Sequence, residues 1–180
     1  MTSRLLMAAT ALMIALGAGP GRSQHPPAEA PKAGEAAKPT ALPPSEPVFV
    51  TMAGLWAGSG IITLSNGGRE RLRCRAQHTV GQGGRSLAMS VRCASDSYRI
   101  ELAANVVNRR GRIFGSWSES SYGASGSVSG TAAGGRISAT ATSSSFTAGL
   151  AISTSGGRQT ISITPHGAPI TGVHVALRKI

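Results

Sequence analysis

Aromatic side chains are scarce in this chain: 180 residues hold two Trp, two Tyr and three Phe. That scarcity argues against an outer-membrane barrel, which needs aromatic girdles and a lipid-facing apolar band. Acidic residues are few as well, seven Asp and Glu against eighteen Lys and Arg, for a formal net charge of +11. After Val48 the carboxylates are Glu70, Asp96, Glu101 and Glu119, facing fourteen Lys and Arg. Four acids leave little for acid–base chemistry. No HExxH, phosphate loop, Ser/His/Asp order or paired-carboxylate spacing is present. The expectation is a non-enzymatic protein without metal or cofactor. The basic excess fits an anionic partner, but the arginines are dispersed rather than interleaved with aromatics, so no specific nucleic-acid binding is expected.

Long apolar runs are absent except at the N-terminus, where Arg4 precedes a stretch of small and apolar residues from Leu5 to Ala18. The run is shorter than the ~20 residues a membrane span needs and has the layout of a secretory signal peptide. Cleavage is expected after Ser23, because a cut after Gly19 places Pro20 directly behind it. No cysteine lies near this region, which excludes a lipoprotein anchor. Residues 24–47 contain seven prolines and, apart from Thr40, no β-branched or aromatic residue. Such a segment cannot bury a core and reads as a disordered Pro/Ala-rich linker. The expected organisation is a signal peptide at 1–23, the linker at 24–47 and one domain at 48–180, with a periplasmic or secreted location and no transmembrane span after signal cleavage.

Helical periodicity is also missing after Gly54, whereas period-two alternation recurs throughout. "LWAGSGIITL" places Trp56, Gly58, Gly60, Ile62 and Leu64 on one face. "RERLRCRAQHTV" places Leu72, Cys74, Ala76, His78 and Val80 on one face and four arginines on the other. Similar sets continue to Val173, Val175 and Leu177, which makes about ten strands separated by turn signals. The fold expected is all-β, an antiparallel up-and-down barrel, with a β-sandwich as the alternative. Small residues on the inner face, Gly115, Gly126, Gly130, Ala132, Ala139 and Ala141, leave either an interior cavity or a place where the barrel flattens.

The triplet Gly-Gly-Arg occurs at Gly67, Gly83, Gly134 and Gly156, with a looser copy at Arg110-Gly111-Arg112. Glycine supplies the positive φ of tight hairpin turns, so the triplet is first of all turn chemistry. Centring hairpins on these pairs predicts Ala132 opposite Ile137, Ile152 opposite Ile161, and Cys74 opposite Cys93. In an oxidising compartment that last pair is a cross-strand disulfide. Strict up-and-down connectivity also puts four of the turns at one end. Arg85, Arg112, Arg136 and Arg158, with Arg109 and Arg110, then form a basic rim suited to an anionic envelope surface.

The inward parity nominates Trp56, His78, Met89, Tyr98, Trp117 and Glu119 as lining for a ligand pocket. His78 is the sole histidine pointed inward and reads as hydrogen-bonded packing rather than as a haem or metal ligand. Glu119 is expected in water at the barrel mouth.

The stretches "GLWAGSG", "LRCRAQHTV", "VRCASDSY" and "GSWSES" resemble a group of small secreted proteobacterial β proteins of uncharacterised function, over about Gly54 to Arg178. The Gly-x-Trp of Gly54 and Trp56 is similar to the opening of strand one in the lipocalin and fatty-acid-binding (calycin) superfamily. There a basic residue near the last strand covers the Trp, a part that Arg178 is expected to play. The second resemblance implies a calycin-like barrel and a small apolar ligand, by analogy of fold. The alternative is a basic protein that binds anionic lipid headgroups or polysaccharide through its arginine rim.

Overall fold

Ten strands follow one another in a computed structural model that describes residues 47–180: β1 Gly54–Leu64, β2 Arg69–Gly81, β3 Ser86–Ala94, β4 Arg99–Arg109, β5 Arg112–Glu119, β6 Ala124–Ala133, β7 Arg136–Ser143, β8 Thr147–Ser155, β9 Arg158–His166 and β10 Ile170–Lys179. The expected signal peptide and the linker up to residue 46 lie outside the described residues. Each strand pairs antiparallel with its sequence neighbours, and β1 pairs with β10 to close the barrel. Full closure leaves no sheet edge unpaired, which is how an all-β domain avoids edge-to-edge association. The sandwich alternative is thereby replaced by the barrel. Among the described residues no helix is long and apolar enough to cross a membrane.

The alternation in the sequence maps directly onto the wall. Along β2 the odd positions are exposed and Leu72, Cys74, Ala76 and His78 are buried. The hairpin registers follow the glycine turns: Ala132 faces Ile137, Ile152 faces Ile161, and Cys74 faces Cys93. Gly134 and Gly135 take φ values of 54° and 75°, the paired positive dihedrals that a two-residue turn needs to match strand twist. Cys74 and Cys93 form a disulfide with Cα atoms 4.1 Å apart.

The turns do more than reverse the chain. The carbonyls of Arg85, Gly111, Gly135 and Gly157 accept hydrogen bonds of 2.7–2.9 Å from the backbone N–H groups of Asn108, Ala132, Thr154 and Lys179. Each turn is thus fastened to the end of the next hairpin, and one end of the barrel becomes a continuous hydrogen-bonded ring. The inner-face glycines have a related role. A Cβ on Gly115, Gly126 or Gly130 would run into the backbone of the adjacent strand. These positions therefore serve close approach and bending of the wall rather than an interior void.

One element has no counterpart among the strands expected from the sequence. A 3₁₀ turn, Val50–Met52, lies under the ringed end, with Phe49 and Met52 fully buried. Phe49 N–H donates to the Gly84 carbonyl, and the Trp56 indole N–H donates to the Met52 carbonyl at 2.9 Å. This turn plugs the barrel, so the two ends differ among the described residues: one is closed by the turn and the ring, and the other carries the alternate hairpin turns without a plug.

Candidate functional site

Most inward residues at the closed end are sealed from water, Val80 and Met89 being half-buried. Trp56, Leu87, Ile113, Gln159 and Leu177 are each 2% exposed or less. Toward the open end the lining changes. Val91, Ile100, Ala141, Leu150, Ile163 and Val173 face inward from mid-strand or beyond, yet each is only half-buried. The opening is lopsided. On the β1–β2 side Ile62 and Leu72 are fully buried, with Cys74 of the disulfide next along the same face, so the accessible lining belongs mainly to β3–β4 and β7–β10, with Leu64 of β1 beside it. The result is a half-buried apolar inner surface above a closed floor.

Two surface depressions are lined by other residues. One of about 510 Å³ lies at the open end between the β3–β4 and β5–β6 turns, lined by Ser95, Ser97, Tyr98, Arg99 and Tyr122. A second of about 400 Å³ is a groove on the outer wall across β3–β5, beside Phe114 and Val107.

The six pocket candidates divide between the two ends. Trp56 and His78 belong to the floor, their ring centroids 6.2 Å apart, and Met89 stands opposite His78 on β3. Tyr98, Trp117 and Glu119 belong to the open end. There Trp117 lies 5.7 Å from the Phe146 ring and donates from its indole N–H to the Ser127 carbonyl. The six stand at different heights along the barrel, with Met89 and Trp117 linked through Ala104 between them, because β-strand parity places residues on a face and says nothing about height along it.

His78 is 3% exposed and sits in a polar chain. Its Nε2 is 3.0 Å from Gln159 Oε1, and Gln159 Nε2 donates to Thr154 Oγ1 at 3.0 Å. The Nδ1 atom, beside the Gln77 backbone, makes no well-formed hydrogen bond. Burial lowers the His78 pKa, and the Gln159 contact opposes that shift without cancelling it. The ring is therefore neutral at neutral pH, and Gln159 Oε1 accepts from Nε2–H. Among the described residues no group of three or more His, Cys, Asp or Glu could hold a metal ion.

Glu119 departs from the expectation of a carboxylate in water. It is 8% exposed and accepts from the backbone N–H groups of Glu101, Ser121 and Tyr122 at 2.7–3.0 Å. Burial raises its pKa, but those hydrogen bonds together outweigh it and hold the carboxyl below its ordinary value. Its oxygens organise the β5–β6 turn. Glu70 behaves similarly at the neighbouring corner, where the Ser95 hydroxyl donates to it at 2.6 Å and lowers its pKa.

The residue over Trp56 is Lys179, not Arg178. Its ammonium lies 5.7 Å from the indole centroid, while Arg178 points outward and pairs across the sheet with Arg158. Lys179 has the parity of Val173, Val175 and Leu177, which is the signal that identifies it in the sequence.

Arg85, Arg112, Arg136 and Arg158 are all exposed and all at the closed end. Arg112 extends over the Phe114 ring, 5.9 Å from its centroid. The sequence reading missed Phe49 and Met52, although their i, i+3 spacing beside Gly54 is a visible sign of a turn that buries both.

No protein-family model matches the chain, and no curated protein matches its sequence significantly. The architecture does have solved counterparts. The chain is similar to Rv2717c from M. tuberculosis, with a TM-score of 0.60 and 14% identity over 76% of this chain and 99% of that one. It is also similar to the S-type phycobiliprotein lyase CPES from Guillardia theta, with a TM-score of 0.54 and 12% identity over 73% of this chain and 90% of that one. At such identities the likeness is one of fold, the calycin-like β-barrel.

Proposed function

We propose that this chain is an exported, non-enzymatic barrel that holds a small apolar ligand in its lumen, admitted through the open end. The observation that carries the reading is the gradient of burial. Most inward residues above the plug are sealed, Trp56, Leu87, Ile113 and Leu177 among them, whereas Leu150, Ile163 and Val173, equally apolar and equally inward, remain partly accessible to water. A concave apolar surface with a closed floor and an aromatic rim is the usual form of a small-molecule site. Export rests on the signal-like residues 1–23 and on the disulfide, which suits an oxidising compartment.

The absence of catalysis rests on the carboxylates. Glu70 and Glu119 are occupied by turn hydrogen bonds, and His78, the one buried imidazole among the described residues, is tied to Gln159. The lyase activity in the name of CPES belongs to a protein 12% identical to this one and is not carried over with the fold.

Native mass spectrometry of the protein purified from its own cells tests the reading. The expected result is a species heavier than the chain that loses a small molecule on denaturation. The emptied protein should raise the fluorescence of N-phenyl-1-naphthylamine, with Leu150→Arg abolishing the rise. A native mass equal to that of the chain alone, together with no fluorescence response from the parent protein, would refute it.

A further inference from the structure

The charges of the barrel are sorted along its axis. All four carboxylates of the described residues lie toward the open end: Glu70 near the start of β2, Asp96 in the β3–β4 turn, Glu101 near the start of β4 and Glu119 at the end of β5. Eight of the fourteen cations, among them Arg85, Arg136, Arg158, Arg178 and Lys179, lie at the closed end, and no Asp or Glu of the described residues accompanies them. Up-and-down connectivity brings this about, because every second turn returns to the same end and each of those turns carries arginine.

The closed end also exposes apolar side chains. Six large hydrophobic residues are exposed among the described residues, and four of them belong to this end: Val50, Leu55, Phe114 and Ile180. Val50, on the plugging turn, is 55% exposed, and Leu55 is 51% exposed. Leu55 and Ile180 are adjacent, joined by a 3.0 Å hydrogen bond from the Ile180 N–H to the Leu55 carbonyl. Arg178 and Arg158 lie on the wall next to them. Apolar groups ringed by guanidinium groups are poorly served by water and well served by a bilayer interface. There, apolar side chains enter the headgroup layer while arginines engage phosphates bidentately. A soluble polyanion uses the arginines alone and leaves Val50 and Leu55 exposed, so the combination favours the lipid surface.

We infer that the closed end is a docking face for an anionic phospholipid bilayer. Val50 and Leu55 enter the headgroup layer, Arg85, Arg136, Arg158 and Arg178 bind lipid phosphates, and the open end faces away from the membrane. The inference does not depend on whether the lumen holds a ligand.

Flotation of the full chain with vesicles of phosphatidylglycerol and phosphatidylcholine, and with phosphatidylcholine vesicles alone, tests it. Whatever precedes residue 47 is common to all variants, so differences between them report the barrel. Binding is expected only to the anionic vesicles, weakening as salt rises. The combined change Arg85→Ser, Arg136→Ser, Arg158→Ser and Arg178→Ser should reduce binding at least about tenfold. Val50→Ser with Leu55→Ser should reduce it several-fold. Arg71→Ser, Arg73→Ser and Arg75→Ser on the β2 wall should have the smallest effect. All these side chains are exposed, and unchanged melting temperatures would confirm that the variants fold.

Three results overturn the inference: no binding to anionic vesicles by the parent, equal binding by the four-arginine variant, or a larger loss from the β2 wall variant. A fourth would be binding to soluble polyphosphate as tight as to vesicles, with both indifferent to Val50 and Leu55. That outcome would assign the face to a polyanion instead.

Discussion

His78 is an imidazole whose chemistry is set by where the strand carries it. Burial holds its pKa below the usual value, so the folded state prefers the neutral ring. As pH falls through the ordinary imidazole value of about 6.5, the unfolded chain takes up a proton while the folded one resists. The stability from the neutral ring is complete above that value and is lost as pH falls from it toward the folded pKa. His78→Gln should therefore flatten the decline of unfolding free energy just below pH ~6.5, whatever its effect on absolute stability. Urea titrations of parent and variant across that range would check this, and parallel slopes would show that His78 does not set it. Glu119 acts in the same direction at lower pH. Its lowered pKa gives stability that is present above the unfolded carboxyl value and lost as pH falls through the folded one. The shift from Arg178 to Lys179 over Trp56 is a lesson at this scale too. One position along a strand reverses a side chain from lumen to solvent, so a covering residue has to be assigned by parity.

The plugging turn shows how a short element can decide the form of a larger one. Phe49 and Met52 are both fully buried, and the turn is tied to Gly84 by a backbone hydrogen bond and to Trp56 through its indole. Phe49→Ala is expected to destabilise the protein by about 3–5 kcal/mol, the range for removing a buried aromatic ring. The strand signal in circular dichroism should persist, because the wall's own registers do not run through this residue. Denaturant unfolding followed by far-ultraviolet circular dichroism measures both quantities. A loss below about 1 kcal/mol, smaller than large-to-small core substitutions normally give, would mean that the turn only rests against the barrel. The β2–β3 hairpin is held differently. Its disulfide spans a sequence separation of 19 residues, and a loop of that length stabilises a fold by about 3 kcal/mol in the chain-entropy account.

For the whole molecule, closure is the decisive step. Nine of the ten strand pairings join neighbours in sequence, whereas β1 and β10 bring Trp56 opposite Lys179 across the entire domain. Such a contact carries the largest chain-entropy penalty to form, and it also covers the Trp56 ring and removes both sheet edges. Deletion of residues 170–180 is expected to abolish cooperative unfolding and to give a chain that aggregates through its exposed β1 and β9 edges. Thermal melts and size-exclusion chromatography would read this. A sharp, monomeric transition in the truncated protein would contradict it. Closure also creates the axis along which carboxylates and arginines separate, a property that no single hairpin has.

The strands, their inward faces, the hairpin registers and the disulfide are legible in the chain alone. All of these follow from a period of two and from turns whose glycines have one geometric solution. The placing of four arginine-bearing turns at a common end is legible there too, since alternation of direction follows from chain order. Which end is sealed follows from packing at a distance in sequence, because the plugging turn lies against β2 and β8 and is bonded to Gly84 and Trp56. The separation of Trp56 and His78 from Tyr98, Trp117 and Glu119 was likewise invisible in the alternation, which fixes a face but not a height. Glu119 became a turn-binding carboxylate through three backbone N–H groups that converge only when β4, β5 and the following turn are in place. Local pattern sets what each residue faces, and long-range packing sets what stands opposite it.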